Sequence, residues 1–163
     1  GKLQNCDNAV YIGGGTGIAD GIILKGKMID FNARDDVKRS WELKIPSGET
    51  IESCLSPKWM IHQWNISQRE KVETLDQLSQ NQNANTIFEK ATEAFSLLIQ
   101  NRTRFFKANH AKIEKIVIGQ RLGIFMADSK LISLLESNTD IPLDYSTDRR
   151  TAALGAAWKR ICS

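Results

Sequence analysis

The stretch Ala9-Val10-Tyr11-Ile12-Gly13-Gly14-Gly15-Thr16-Gly17-Ile18-Ala19-Asp20-Gly21-Ile22-Ile23-Leu24 decides how this chain is read. An apolar run meets a cluster of glycines, a β-branched run follows, and Gly26-Lys27 turns the chain again before Met28-Ile29. Residues 8–30 therefore read as a β-meander whose first connection is glycine-rich. With no Cβ atoms in the way, the glycines let a ligand approach the backbone closely. Their amides can converge on an anion, and Thr16 adds a hydroxyl. A P-loop needs a lysine after its last glycine and then a helix, and a dinucleotide fingerprint needs G-x-G-x-x-G opening a helix. Here Ile18 to Ile23 runs on as a strand. Neither motif applies, and spacing alone leaves a tight hairpin and a phosphate-binding turn both open.

Further along, Trp41-Glu42-Leu43-Lys44-Ile45 alternates up to Pro46 and predicts a short strand. Ser47 to Leu55, with Ile51 and Leu55 four apart, predicts a helix. Ser56-Pro57 is an N-cap followed by proline at the first position of a second helix, to about Trp64. Gln77 to Asn85, crowded with Gln and Asn, reads as loop or helix end. Ile87, Ala91, Ala94, Phe95, Leu98 and Phe105 keep helical spacing and predict the longest helix, over 86–108. Ile113 to Ile118 reads as a buried strand entering a turn at Gly119, with a helix following from about Phe125 to Leu135. An acidic connection holding Asp140, Pro142, Asp144 and Asp148 then leads to Ala152-Ala153-Leu154-Gly155-Ala156-Ala157-Trp158. These small residues suit a helix packed closely on a sheet.

The 163 residues are 41% hydrophobic and 25% charged with a net charge of +3, which is an ordinary globular composition with enough chain for its own core. No apolar run approaches the roughly 18 residues of a membrane helix, and no signal-peptide pattern opens the chain. A cytoplasmic protein without a membrane partner is expected, and the start at Gly1 rather than Met leaves a fragment and a tagged chain both open. Cys6, Cys54 and Cys162 are odd in number and lack C-x-x-C spacing, so reduced thiols are expected, with Cys54 a small core residue. His62 and His110 have no ligand pattern around them, and no metal site is expected. So mild a charge argues against nucleic acid as a partner of this domain. Arg102, Arg104, Lys107, Lys112 and Lys115 read as a solvated helix end. Trp41, Trp59, Trp64 and Trp158 read as core or interface residues, and Asp20 as a turn aspartate bonded to its own backbone rather than a magnesium ligand.

The order of motifs resembles the C-terminal half of the ROK family of sugar kinases and repressors, in the sugar kinase/Hsp70/actin superfamily. Tyr11 to Ile23 with Gly26-Lys27 resembles the family's second phosphate motif and its following turn. Glu52-Ser53-Cys54-Leu55-Ser56 is similar to an E-x-x-x-S segment that begins a helical pair. Ile116-Val117-Ile118-Gly119 resembles the strand and glycine of the adenosine motif, and Leu154-Gly155-Ala156-Ala157 the closing helix.

This resemblance implies an α/β, RNase H-like (actin-like ATPase) lobe, a mixed sheet with flanking helices, with residues 1–163 forming one C-terminal nucleotide-binding lobe. Gly14, Gly15, Thr16 and Gly17 would face the phosphates of ATP, and Gly119 would border the adenosine. ATP and Mg2+ are the implied cofactors, a sugar the implied substrate, and an N-terminal lobe outside this chain the implied partner. That lobe would bring the catalytic aspartate, so no catalytic residue is assigned here. A homodimer is left open. Three departures stand out. Lys38-Arg39-Ser40-Trp41 falls where the family has the sugar-holding G-E-x-G-H, the zinc cysteines are absent, and Gln120, followed by Arg121, replaces a second glycine of the adenosine motif. A divergent sugar kinase lobe is the leading expectation. The alternative is a regulatory or scaffold domain that kept the fold and lost sugar recognition.

Overall fold

β1 (Ala9–Gly14) lies at the centre of a five-stranded sheet. It pairs antiparallel with β2 (Ile18–Leu24), from Ala9 opposite Ile23 to Gly14 opposite Ile18. On its other side it pairs parallel with β4 (Lys115–Gly119), from Ala9 beside Lys115 to Gly13 beside Gly119. β3 (Lys27–Met28) and β5 (Leu143–Tyr145) complete the order β3-β2-β1-β4-β5. The computed structural model describes residues 2, 3, 5–128 and 131–147. The helix expected over Ala152–Trp158 lies outside the described residues.

The two-residue period of a strand sets the core. Val10, Ile22 and Ile116 share one register row, and Ile12 and Ile118 another, all fully buried on one face. Against that face lie α1 (Ile51–Leu55) and the long α4 (Asn85–Ala108), whose buried stripe runs Ile87, Ala91, Ala94, Phe95, Leu98, Arg102, Phe105. Arg102 belongs to this stripe, one turn beyond Leu98, and is completely buried. The expectation of a solvated basic patch is therefore corrected at Arg102. At Lys115 the ammonium lies 3.7 Å from Asp144. α2 (Pro57–Ser67) and α3 (Leu75–Ser79) flank α4 and α1. No described helix is long and apolar enough to cross a membrane.

Several elements differ from expectation, each for a local reason. The segment expected as a strand at Trp41–Ile45 opens with a 3-10 turn, Ser40–Glu42, because the Glu42 carboxylate accepts the Arg39 N–H at 2.7 Å; only Lys44 forms an isolated bridge, to Thr50. Trp41 is half exposed and lies under the Arg39 guanidinium. The Gln/Asn-rich stretch does hold a helix end, as expected: α3 runs to Ser79, started by a capping box in which Thr74 Oγ1 accepts from the Gln77 N–H and Gln77 Oε1 from the Thr74 N–H. The helix expected from Phe125 begins at Gln120 and ends at Asp128 (α5), and a separate α6 spans Leu131–Glu136. Gly123 permits this, since a Cβ there would meet the Ile118 carbonyl oxygen at 2.5 Å and the Ser146 carbonyl oxygen at 2.7 Å. The acidic connection contains β5, whose Asp144 carboxyl is lowered from its ordinary value by the hydrogen-bonded Lys2 ammonium 2.5 Å away.

Candidate phosphate-binding turn and adjoining pocket

The parallel strands β1 and β4 end side by side at Gly14 and Gly119, and ligands of open α/β sheets bind beyond such carboxyl ends. The connection from β1 to β2 is Gly15-Thr16-Gly17. Its geometry is set from below by three hydroxyl and carboxylate groups. Ser56 Oγ donates to the Thr16 carbonyl at 3.0 Å, the Ile18 N–H donates to Glu52 Oε1 at 3.4 Å, and buried Ser40 Oγ donates to the Ile18 carbonyl at 3.4 Å. Within the turn the Gly15 N–H donates to the Gly17 carbonyl at 2.9 Å. The Thr16, Gly17 and Ile18 carbonyls are thus bound within the protein. Among the described residues, the N–H groups of Thr16 and Gly17 find no partner. Two successive N–H groups with the exposed Thr16 hydroxyl beside them are the donor set that an anion's oxygens require.

Glu52 and Ser56 were singled out in the sequence only as the ends of E-x-x-x-S. The structure makes them the clasp of the turn, because residues four apart on α1 and its C-cap come to the same side. Ser56 also caps α2, accepting the Trp59 N–H at 3.3 Å. A Cβ on Gly17 would overlap the Glu52 carboxylate, so a side chain there would push Glu52 off the Ile18 N–H.

Thr16, Gly17, Glu52, Ser53 and Ser56 form one wall of a pocket of about 300 Å³, and Lys58, Trp59 and His62 of α2 form the other. Carboxylate, hydroxyl, imidazole, ammonium and indole together make a lining able to exchange hydrogen bonds with a polyhydroxylated ligand. A larger hollow of about 580 Å³, between the C-terminal end of α4 and the segment leading into β4, is lined by Phe106, Ala111, Ile113 and Ile141 under Lys107, His110 and Lys112. It sits at the opposite end of the sheet, away from the turn, and takes no part in the site.

Gly119 ends β4 in close contact with the sheet, because a Cβ on it would overlap the Tyr11 ring and hydroxyl. The next residue, Gln120, has φ 60°, the left-handed region that a side chain adopts at a cost of about 1 kcal/mol. Its carboxamide runs back toward the turn. A Cβ on Gly13 would lie 3.2 Å from its Cδ and Nε2, and one on Gly15 3.3 Å from its Oε1.

Asp20 departs from expectation. It lies in the register row of Ile12, on the core face of β2, and is paired with Arg102 rather than with its own backbone or a hydrated ion. Cys54 is buried, as expected, and burial, with the Glu49 charge adding to it, pushes its thiol up to about 11. Trp64 is core and Trp59 lines the pocket, while Trp158 and Cys162 lie outside the described residues. Among the described residues no group of three metal-ligating side chains gathers.

No family model matches the chain, and no curated protein matches it in sequence. Its fold matches solved structures. A ROK family protein from Streptococcus pneumoniae TIGR4 in complex with sucrose superposes with a TM-score of 0.73 at 12% identity, over 98% of this chain and 62% of that one. A ROK family glucokinase from Streptomyces griseus in complex with glucose and AMPPNP gives 0.67 at 12% identity, over 96% and 61%. A ROK family transcriptional regulator, homologous to the E. coli MLC protein, gives 0.61 at 15% identity, over 96% and 46%. The chain thus has the mixed-sheet, actin-like ATPase fold of the ROK sugar kinases, and spans about 60% of the length of the kinase structures it matches.

Proposed function

We propose that the chain is the C-terminal lobe of a divergent ROK-like sugar kinase, in which Gly14, Gly15, Thr16 and Gly17 receive the phosphates of ATP and Gly119 borders its adenosine. The open Thr16 and Gly17 amides carry this reading, because Ser56 binds the Thr16 carbonyl, the Gly15 N–H binds the Gly17 carbonyl and Glu52 accepts the Ile18 N–H, which leaves the Thr16 and Gly17 N–H groups for an anion. When bound, ATP with Mg2+ supplies the transferable phosphoryl group. This chain's own residues orient the phosphates and, through Glu52 and Ser53 on one wall of the pocket and His62 on the other, bond the hydroxyls of a sugar. The base that takes the sugar proton is assigned to an N-terminal lobe, the proposed partner, and the whole protein works in the cytoplasm.

Calorimetric titration of the full-length protein with ATP and ADP in magnesium buffer tests the reading, alongside a Gly15→Val, Thr16→Ala variant. Heat that disappears in the variant supports the phosphate turn, and silence from the intact protein overturns it.

One observation favours the non-catalytic alternative. Lys38-Arg39-Ser40-Trp41 offers neither carboxylate nor imidazole, Ser40 being spent on the Ile18 carbonyl and Trp41 turned out beneath Arg39. Binding of nucleotide without phosphorylation of any of a panel of hexoses and amino sugars would decide for it.

A further inference from the structure

Gln120 stands between the two ends of the proposed nucleotide site. Behind it is Gly119, at the close of β4; before it is the glycine turn, at the close of β1. The bridge between Gly14 and Gln120 draws these strand ends together, so a nucleotide reaching from turn to α5 has to pass the Gln120 side chain. The left-handed backbone at φ 60° fixes where that side chain starts, and it extends over Gly13 and Gly15, the positions where missing Cβ atoms leave room. A glycine at 120 would suit the same backbone without strain and leave the passage clear.

Among the described residues the carboxamide makes no hydrogen bond. Packing alone holds it over the turn, and rotation about its side-chain bonds removes it. It covers Gly13 and Gly15, whereas a Cβ on Gly17 meets the Glu52 carboxylate first. The Gly17 end of the turn is therefore clear of Gln120, while the passage from Gly15 to the adenosine end is occupied.

We propose that the Gln120 carboxamide is a built-in occupant of the nucleotide passage, which a nucleoside triphosphate must displace and which lowers the affinity of this lobe for ATP but not for a bare phosphate chain. The proposal rests on the phosphate-turn reading above. If the displaced rotamer makes up about a tenth of the population, removing the side chain strengthens ATP binding about tenfold, because apparent affinity is scaled by the competent fraction.

The test titrates ATP and inorganic tripolyphosphate, each with magnesium, into the full-length wild-type protein, Gln120→Gly and Gln120→Asn. Asn tolerates the left-handed backbone and is one methylene shorter, so it supplies a second folded variant; melting temperatures check all three proteins. ATP binding about tenfold tighter in Gln120→Gly, intermediate in Gln120→Asn, with tripolyphosphate binding unchanged, is the expected result. Weaker ATP binding in Gln120→Gly would make the carboxamide a ligand contact and overturn the proposal. Equal ATP binding overturns it while leaving the phosphate turn standing, as does tripolyphosphate binding with no ATP binding in any form. If neither ligand binds any form, both the proposal and the phosphate-turn reading fall.

Discussion

The guanidinium of Arg102 on α4 holds a single oxygen of the Asp20 carboxylate on β2 through two nitrogens, Nε at 2.9 Å and Nη2 at 2.5 Å. Both side chains are buried, 0% and 2% exposed, so the pair fastens the long helix to the strand that leaves the glycine turn. Asn101 Oδ1 takes a third guanidinium donor at 2.8 Å, and the Phe31 ring lies 5.5 Å from the guanidinium carbon. Removing one partner leaves a buried uncompensated charge. Arg102→Ala is therefore expected to cost about 3–5 kcal/mol in urea unfolding, whereas a volume-matched Arg102→Met, Asp20→Leu double variant recovers most of it. A loss under about 1 kcal/mol for the single variant would show that water reaches the pair.

Ser56 joins the turn to two helices, donating to Thr16 and capping α2. Ser56→Ala removes both bonds and is expected to lower stability by about 1–2 kcal/mol. It also frees the Thr16 carbonyl, so nucleotide affinity should fall with it. Ser56→Thr keeps the hydroxyl and should restore the affinity; a variant with intact stability and unchanged affinity would remove Ser56 from the turn's support.

Gly123 and Gly21 form a matched pair of substitutions. At Gly123 a Cβ meets two carbonyl oxygens at 2.5 and 2.7 Å, both backbone, which can yield only by moving α5 from β4 or from the residue after β5. Gly123→Ala is expected to destabilise by about 1–3 kcal/mol. At Gly21 nothing lies within 4 Å, and Gly21→Ala in a strand interior should stabilise by about 0.5–1 kcal/mol. Thermal melts of the two variants should shift in opposite directions.

Glu49 and Lys90 join the segment before α1 to α4 at 2.5 Å. The Lys90 ammonium, hydrogen-bonded to it, holds the Glu49 carboxyl at about 2 instead of its ordinary 4.5. A depressed carboxyl contributes stability that is complete above the ordinary value and is lost as pH falls toward 2. Melting temperature should drop between pH 4.5 and 2 more steeply in wild type than in Glu49→Gln, and added salt should narrow the difference, because the pair is partly exposed.

Much of the architecture was legible because it is written in periodicity. The strand, glycine cluster and strand over Ala9–Leu24, the long stripe of α4 and the Ser56-Pro57 helix start stand where alternation, 3.6-residue spacing and cap chemistry put them. Two further signals lie in the same periodicity. Asp20 keeps the inward phase of Ile18, Ile22 and Leu24, and Arg102 fills the place in the stripe between Leu98 and Phe105. A carboxylate and a guanidinium in phase with apolar residues have to be buried, and buried charges have to meet. The failure at Trp41–Ile45 is of another kind, since its alternation is real but Ser40–Glu42 coils into a 3-10 turn and, among the described residues, Lys44 pairs only as an isolated bridge to Thr50.

The sequence by itself determined the glycine turn, the strands around it and the helices that follow, because backbone freedom, capping and periodicity are properties of neighbouring residues. Only the tertiary structure decided what the turn is made to present. Ser56 and Glu52 reach it from more than thirty residues away to bind the Thr16 carbonyl and the Ile18 N–H, Gln120 reaches it from the far end of β4 and covers Gly13 and Gly15, and the amides of Thr16 and Gly17 are what is left open. Such contacts join residues that share no local pattern. They exist only once the parallel pairing of β1 with β4 and the packing of α1 bring three separate segments to one end of the sheet.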